Sequence, residues 1–275
     1  MPVRILEPLR TVVLLLSLLP QRPREAFDRV AVYADLILEH LSAAPPNHET
    51  TTWEGALQDL EALYGRVGEI LEEPALEEIE AHTRRLLEEI RPNDAFDQRW
   101  AADSLFARLC YLSCRLLEPE VVVETGVAYG VSSAYVLQAL RVNGRGTLHS
   151  VDLPPLRKDY ERHWGIAVPD GLRARWQLHR GPSKRILPNL LESTGPIDLF
   201  VHDSLHTRRN MVREFDTVWP RLRPGGTLLA DDVERNRAFT DLRRKAPTLW
   251  RIVKDREKSP LHGKAAPVVF GIAAK

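Results

Sequence analysis

Apolar positions follow one rhythm up to about residue 95 and another after it. From Arg24 to about Leu41, Phe27, Val30, Ala31, Tyr33, Ala34, Leu36, Ile37 and Leu41 recur at helical spacing, which predicts one amphipathic helix. A second helix is expected over Trp53 to Val67. A third covers Pro74 to Ile90, where Leu76, Ile79, Leu86, Leu87 and Ile90 stand among many charges. The paired prolines in Ala43 to Thr52 remove hydrogen-bond donors and predict a loop between the first two. Arg91-Pro-Asn-Asp-Ala95 is the expected boundary, dividing a helical N-terminal region (1–95) from a second unit (96–275).

Beyond that boundary a helix from about Gln98 to Leu117 leads into short apolar runs that alternate with helical stretches. The expected strands are Val121 to Thr125, Thr147 to Asp152, Trp176 to His179, Asp198 to Asp203 and Thr227 to Asp231. Two more, Trp250 to Lys254 and Pro267 to Ala273, are joined by the turn-rich Lys258 to Lys264 as a closing antiparallel hairpin would be. Strict alternation of strand and helix predicts an α/β, Rossmann-like fold: a seven-stranded, mostly parallel sheet with helices on both faces.

Composition narrows the class. The chain has 275 residues, 44% of them apolar, enough to bury a sizeable core. Lys plus Arg and Asp plus Glu are equal at 38 each, so no net field draws it to nucleic acid or to an anionic membrane, and the expected partner is a small molecule. The run Thr11 to Leu19 resembles the apolar part of a signal peptide. Pro20-Gln-Arg-Pro-Arg ends it without a small-residue cleavage site, and it is far below the ~20 residues that span a bilayer. It reads as a buried helix, with a peripheral membrane helix as the alternative. Cys110 and Cys114, one helical turn apart among apolar residues, fit reduced core side chains and a cytoplasmic protein.

The strongest local signal is Glu124-Thr-Gly-Val-Ala-Tyr-Gly130, where a buried strand turns into a helix. Gly126 and Gly130 let the backbone approach a ligand, and Ser132 or Ser133 can cap the helix that follows. A dinucleotide fold would show three glycines as G-x-G-x-x-G; two glycines four apart after an acidic residue weigh against a nicotinamide enzyme. Asp152 ends the next strand, where a carboxylate can accept the hydroxyl protons of a ribose, with Leu153 beside it.

These residues resemble the class I S-adenosylmethionine-dependent methyltransferases, whose first motif has the form of Glu124 to Gly130. Gly181-Pro-Ser183 looks like that family's adenine-side turn, with Pro182 where an acidic residue is common. Arg223-Pro-Gly-Gly226 matches its turn before the fifth strand. The resemblance implies S-adenosylmethionine as cofactor, held by Glu124, Thr125, Gly126, Gly130, Ser132, Asp152, Leu153, Gly181, Ser183 and Asp203.

Two further clusters fall at strand ends, His202-Asp-Ser-Leu-His206 and Ala230-Asp-Asp-Val233. Three converging carboxylates repel unless a proton or cation compensates, and hard oxygen donors suit Mg²⁺ or another divalent ion. The spacing resembles the metal-dependent O-methyltransferases related to catechol methyltransferase and a bacterial natural-product group. That implies Asp203, Asp231 and Asp232 as metal ligands. Where the catechol type carries a lysine three residues after the first metal aspartate, this chain has His206, a group able to act as general base at neutral pH. Asp203 has a structural alternative, capping the helix that begins near Thr207. His202 is expected to pack beneath the site, and His149 and His179 are expected to be structural.

The expected activity is divalent-assisted O-methylation of a small or medium metabolite. Its rivals are a metal-independent O- or N-methyltransferase, a dinucleotide oxidoreductase, and a non-catalytic S-adenosylmethionine-binding scaffold. The N-terminal helices are expected to serve as a lid or as a homodimer contact, without stable membrane insertion.

Overall fold

The computed structural model describes residues 18–42, 48–90, 103–155, 158–258 and 265–275. Most of the apolar run Thr11 to Leu19, the boundary Arg91 to Ala95, the start of the helix expected from Gln98 and the turn 259–264 lie outside the described residues, as does half of the loop Ala43 to Thr52.

The N-terminal third is helical: α1 (Pro23–Ser42), α2 (Trp53–Tyr64), α3 (Val67–Leu71) and α4 (Pro74–Glu89). The single helix expected over Trp53 to Val67 is two, because Gly65 turns the chain at φ 65° and Arg66 follows at φ 65°. Thr52 caps α2 by accepting from the Gly55 amide. Helix α5 (Ser104–Leu117) then precedes β1 (Val121–Thr125), α6 (Val131–Asn143), β2 (Thr147–Asp152), β3 (Trp176–Arg180), α7 (Ser183–Thr194), β4 (Ile197–His202), α8 (Arg208–Val218), β5 (Leu222–Asp231), the short α9 (Ala238–Asp241), β6 (Leu249–Lys258) and β7 (Ala265–Ala274). The link from β2 to β3 holds two 3₁₀ turns, Lys158–His163 and Asp170–Arg175.

The seven strands lie in the order β3-β2-β1-β4-β5-β7-β6. The pairs among β1 to β5 are parallel, while β7 runs antiparallel to both β5 and β6. The closing hairpin is therefore as expected, with its second strand inserted inside the sheet. Two details differ. The Arg223 to Gly226 turn does not precede β5 but belongs to it, opposite a register shift between Ile197 and Leu199, with Gly225 at φ 80°. Strand β4 stops at His202, which leaves Asp203 as the first residue beyond the sheet edge.

Side chains alternate across the pleat, so neighbours on one strand feed opposite layers. Val122, Leu148, Val201, Leu229 and Phe270 face a core shared with α5, α6 and the N-terminal helices α2 to α4. Val123, Phe200, Leu228 and Ala230 face the other core, under α7 and α8. Trp53 packs edge-on to Phe270 at 6.1 Å, the Thr51 amide pairs with the Ile252 carbonyl at 2.8 Å, and Asp59 meets Arg251 at 2.5 Å. Cys110 and Cys114 are buried free thiols, and burial pushes both well up. Among the described residues no helix is long and apolar enough to cross a membrane.

Candidate functional site

The parallel strands end at one edge, and the residues singled out from the sequence collect there. β1 and β4 are locked where they leave the sheet. The Asp203 amide donates to the Thr125 carbonyl at 2.8 Å, and the Gly126 amide to that of Val151 at 3.0 Å. Gly126 sits at φ 88°, and a Cβ there would stand 1.9 Å from the Asp203 carbonyl oxygen. Only glycine allows that approach. Gly130, at φ 84°, opens α6 and lies against Gly165, whose amide donates to Ala128 at 2.9 Å.

Glu124 is fully buried, and its carboxylate accepts from Ser132 (2.7 Å), Ser133 (2.6 Å) and Ser150 (2.6 Å). Burial raises its pKa; the three hydroxyls oppose that shift. The expected capping role of Ser132 or Ser133 is thus corrected. Gly130 holds the cap position without a side-chain bond, because both serines are spent on a carboxylate that would otherwise be buried unsatisfied.

Asp152 gathers the next layer. Its Oδ2 accepts from the Val127 and Ala128 amides, each at 3.1 Å, and from the Trp164 indole at 2.9 Å, while Oδ1 accepts from the Leu153 amide at 2.7 Å. Burial raises the Asp152 pKa against these four donors. Gly181, at φ 146°, donates to the Asp152 carbonyl at 2.9 Å, and Ser183 opens α7 beside Asn210 at 3.4 Å.

The second cluster brings Asp203, His206, Asp231 and Asp232 together. Single donor atoms of Asp203, His206 and Asp231 all fall within 4.8 Å of one another. His206 Nε2 lies 3.8 Å from Asp203, and its Nδ1 lies 3.3 Å from Asp232, which also pairs with Arg235 at 2.5 Å. Asp232 adopts a left-handed φ of 51°, which aims its side chain back at His206. Asp231 Oδ1 and His206 Nε2 are buried without hydrogen-bond partners. Burial, then the neighbouring carboxylates, hold Asp203 and Asp231 well above the usual carboxylate range. Burial, then His202 and Arg235, push His206 well below the usual imidazole range. A bare Asp231 oxygen among crowded carboxylates fits a divalent cation, with the His206 Nε2 lone pair left beside it. Asp203 does not cap α8; Thr207 does, accepting from the Asn210 amide at 3.3 Å.

Beneath this cluster lies Glu214, which the sequence reading missed. Its Oε2 accepts from Thr125 at 2.6 Å and faces His202 Nδ1 at 2.7 Å; its Oε1 accepts from Ser204 and Asn210, each at 3.0 Å. Burial alone would raise this carboxyl, but the charge and hydrogen bond of His202, with the hydroxyls of Ser183 and Thr125, hold it at about 2. One carboxylate thus ties together the ends of β1 and β4 and the start of α7. The signal was in the helix itself, where Asn210 and Glu214 share the buried face of α8 with Met211, Phe215 and Val218. His202 packs edge-on beneath His206 at 5.3 Å, and His149 stacks on His179 at 5.5 Å, both as expected.

Helix α1 crosses the same edge with its polar face inward. Arg22 meets Glu161 (2.6 Å), Glu25 meets Arg180 (3.1 Å), Asp28 meets Arg185 (2.9 Å), Asp35 meets Arg209 (3.3 Å), and Glu39 accepts from the Arg208 amide (2.9 Å). Its apolar face is the outer one, with Phe27 68% and Ile37 64% exposed.

Residues 123–233, from β1 to the second acidic cluster, match a family described as a methyltransferase domain. A stretch of 90 residues is 38% identical to the 8-demethyl-8-alpha-L-rhamnosyl tetracenomycin-C 2'-O-methyltransferase of Streptomyces olivaceus, a match covering 33% of this chain and 21% of that protein. The chain thus aligns with about a fifth of its curated relative. Among solved structures, the O-methyltransferase TomG from Streptomyces achromogenes, in complex with SAM, has a TM-score of 0.49 at 20% identity, covering 81% of this chain and 96% of its own. An O-methyltransferase from Bacillus cereus in complex with SAH has a TM-score of 0.46 at 16% identity, covering 80% and 100%.

Proposed function

We propose, from the match of residues 123–233 to a methyltransferase domain, that the protein is an S-adenosylmethionine-dependent O-methyltransferase of the class I kind, acting on a hydroxyl of a small or medium metabolite. The observation that carries this reading is the meeting of His206 with Asp203, Asp231 and Asp232 beside the glycine turn. The 2'-O-methyltransferase name of the Streptomyces olivaceus relative supports a hydroxyl as acceptor.

In this reading Thr125, Gly126, Gly130, Asp152, Leu153, Gly181, Ser183 and Asp203 bind the cofactor, and Glu124 and Ser132 shape the turn from below. Asp203, Asp231 and Asp232 hold a divalent ion. When bound, the ion would lower the pKa of an acceptor hydroxyl and offset the carboxylate repulsion. His206 is the base. Its Nδ1–H faces Asp232, which leaves the Nε2 lone pair bare and the ring neutral. Nε2 takes the hydroxyl proton, and S-adenosylmethionine, when bound, would supply the methyl group to the oxygen and leave as a neutral thioether. The chain's contribution is alignment and proton removal, with no covalent intermediate.

The buried thiols of Cys110 and Cys114 support a reducing compartment such as the cytoplasm. The outward apolar face of α1 supports a homodimer contact.

The test is calorimetric titration of S-adenosylmethionine into metal-stripped protein, followed by transfer of labelled methyl groups to hydroxylated acceptors with and without Mg²⁺ or Mn²⁺. His206→Asn should bind the cofactor normally and transfer roughly 10²- to 10⁴-fold more slowly. Absence of cofactor binding would overturn the proposal, and binding with unchanged transfer in His206→Asn would remove His206 from it.

A further inference from the structure

The side chain of Arg29 reaches inward from α1 and is only 12% exposed. Its Nη2 is shared between Glu25, at 3.4 Å, and the Pro154 carbonyl directly after β2. Its Nε is fully buried and has no hydrogen-bond partner. Leaving the N–H of a charged group buried and unanswered costs more than leaving a neutral one so. A compact fold keeps such a group where something else completes it.

The Pro154 contact sets this guanidinium beside the end of β2, two residues beyond Asp152. Asp152 Oδ2 already accepts three hydrogen bonds, whereas Oδ1 accepts one, from Leu153. Oδ1 therefore retains a lone pair. A cationic donor and an anionic acceptor brought to one place select the chemistry between them. An anion would satisfy Arg29 and be repelled by Asp152; a cation would do the reverse. A hydroxyl answers both, since it accepts on its oxygen and donates its proton.

We infer that Arg29 is a cofactor-binding residue, its Nε–H donating to a ribose hydroxyl oxygen whose proton is accepted by Asp152. The inference rests on the cofactor reading above and extends it to the N-terminal region. Helix α1 then supplies part of the nucleoside site, and its ionic links to Glu161, Arg180, Arg185 and Arg209 set the position from which Arg29 reaches it.

The experiment titrates S-adenosylhomocysteine, and its 2′-deoxy and 3′-deoxy counterparts, into the full chain and into Arg29→Met, Arg29→Lys and Asp28→Asn. Circular dichroism and thermal melts confirm that each variant folds. Methionine keeps the apolar stem and removes the donor. Arg29→Met should weaken S-adenosylhomocysteine at least about tenfold, in line with loss of a charge-assisted hydrogen bond. Arg29→Lys should fall between. The Arg29→Met loss should vanish for the deoxy ligand that lacks the partnered hydroxyl. Asp28→Asn breaks the Arg185 link that helps set the position of Arg29, so its smaller loss should likewise vanish for the deoxy ligand that lacks the partnered hydroxyl. Unchanged binding in Arg29→Met, or an equal loss for all three ligands, would overturn the inference while leaving the cofactor reading intact. No binding to the unaltered chain would overturn both.

Discussion

The most demanding test of the site's architecture is Glu214→Gln. The substitution keeps the shape and one acceptor oxygen, and exchanges the other for an NH₂ group. Whichever way the amide is turned, two of the four donors from Thr125, His202, Ser204 and Asn210 would face a nitrogen. A carboxyl held at about 2 instead of its ordinary 4.5 is favoured in its ionised form by roughly 3 kcal/mol at neutral pH. The sign follows from the depressed value. That stabilisation is full above about pH 4.5 and is lost as pH falls through about 2. Urea unfolding at pH 7 should therefore show Glu214→Gln less stable by roughly 2–4 kcal/mol. The gap should shrink between pH 4.5 and the lowest pH at which both proteins stay folded. A gap under about 0.5 kcal/mol at pH 7, or one that widens in acid, would refute the assignment of Glu214 as the tie between the strand ends.

Two other outcomes follow from the same edge. Gly126→Ala places a Cβ against the Asp203 carbonyl at a positive φ, so it should destabilise the fold by more than about 2 kcal/mol and abolish S-adenosylmethionine binding, read by melting and calorimetry. Asp231→Asn removes one of three crowded carboxylates, so the metal-stripped protein should melt a few degrees higher, about 2–4 °C for each kcal/mol gained, while divalent ions no longer raise its melting point.

How far the sequence could be read depended on whether the signal was local. The strands of the parallel sheet were legible because short apolar runs ended in Glu124-Thr-Gly, in Asp152 and in Asp203, and strand ends in an open parallel sheet share one edge. That rule alone was enough to expect Asp203, Asp231 and Asp232 in one place. Glu214 escaped because its partners come from the ends of two strands and from the loop after β4, and no spacing within α8 announces them. Trp164 escaped likewise: an indole donating to Asp152 from a 3₁₀-rich connection has no periodicity to read. Helix α1 shows the opposite limit. Its amphipathic pattern was plain, but periodicity reports that two faces differ and not which one meets the protein. Here the ionic face does, because it lies opposite Glu161, Arg180, Arg185 and Arg209.

The backbone contact between Gly126 and Asp203 welds the glycine turn to the first residue of the acidic cluster. No side-chain change can lengthen that joint without breaking both halves. In evolutionary terms the reaction centre is inherited as one block, closed to gradual adjustment. On the proposed reading a change of acceptor must then be drafted elsewhere, in the face that α1 turns toward the edge, where residues can vary one at a time without lengthening the joint beneath.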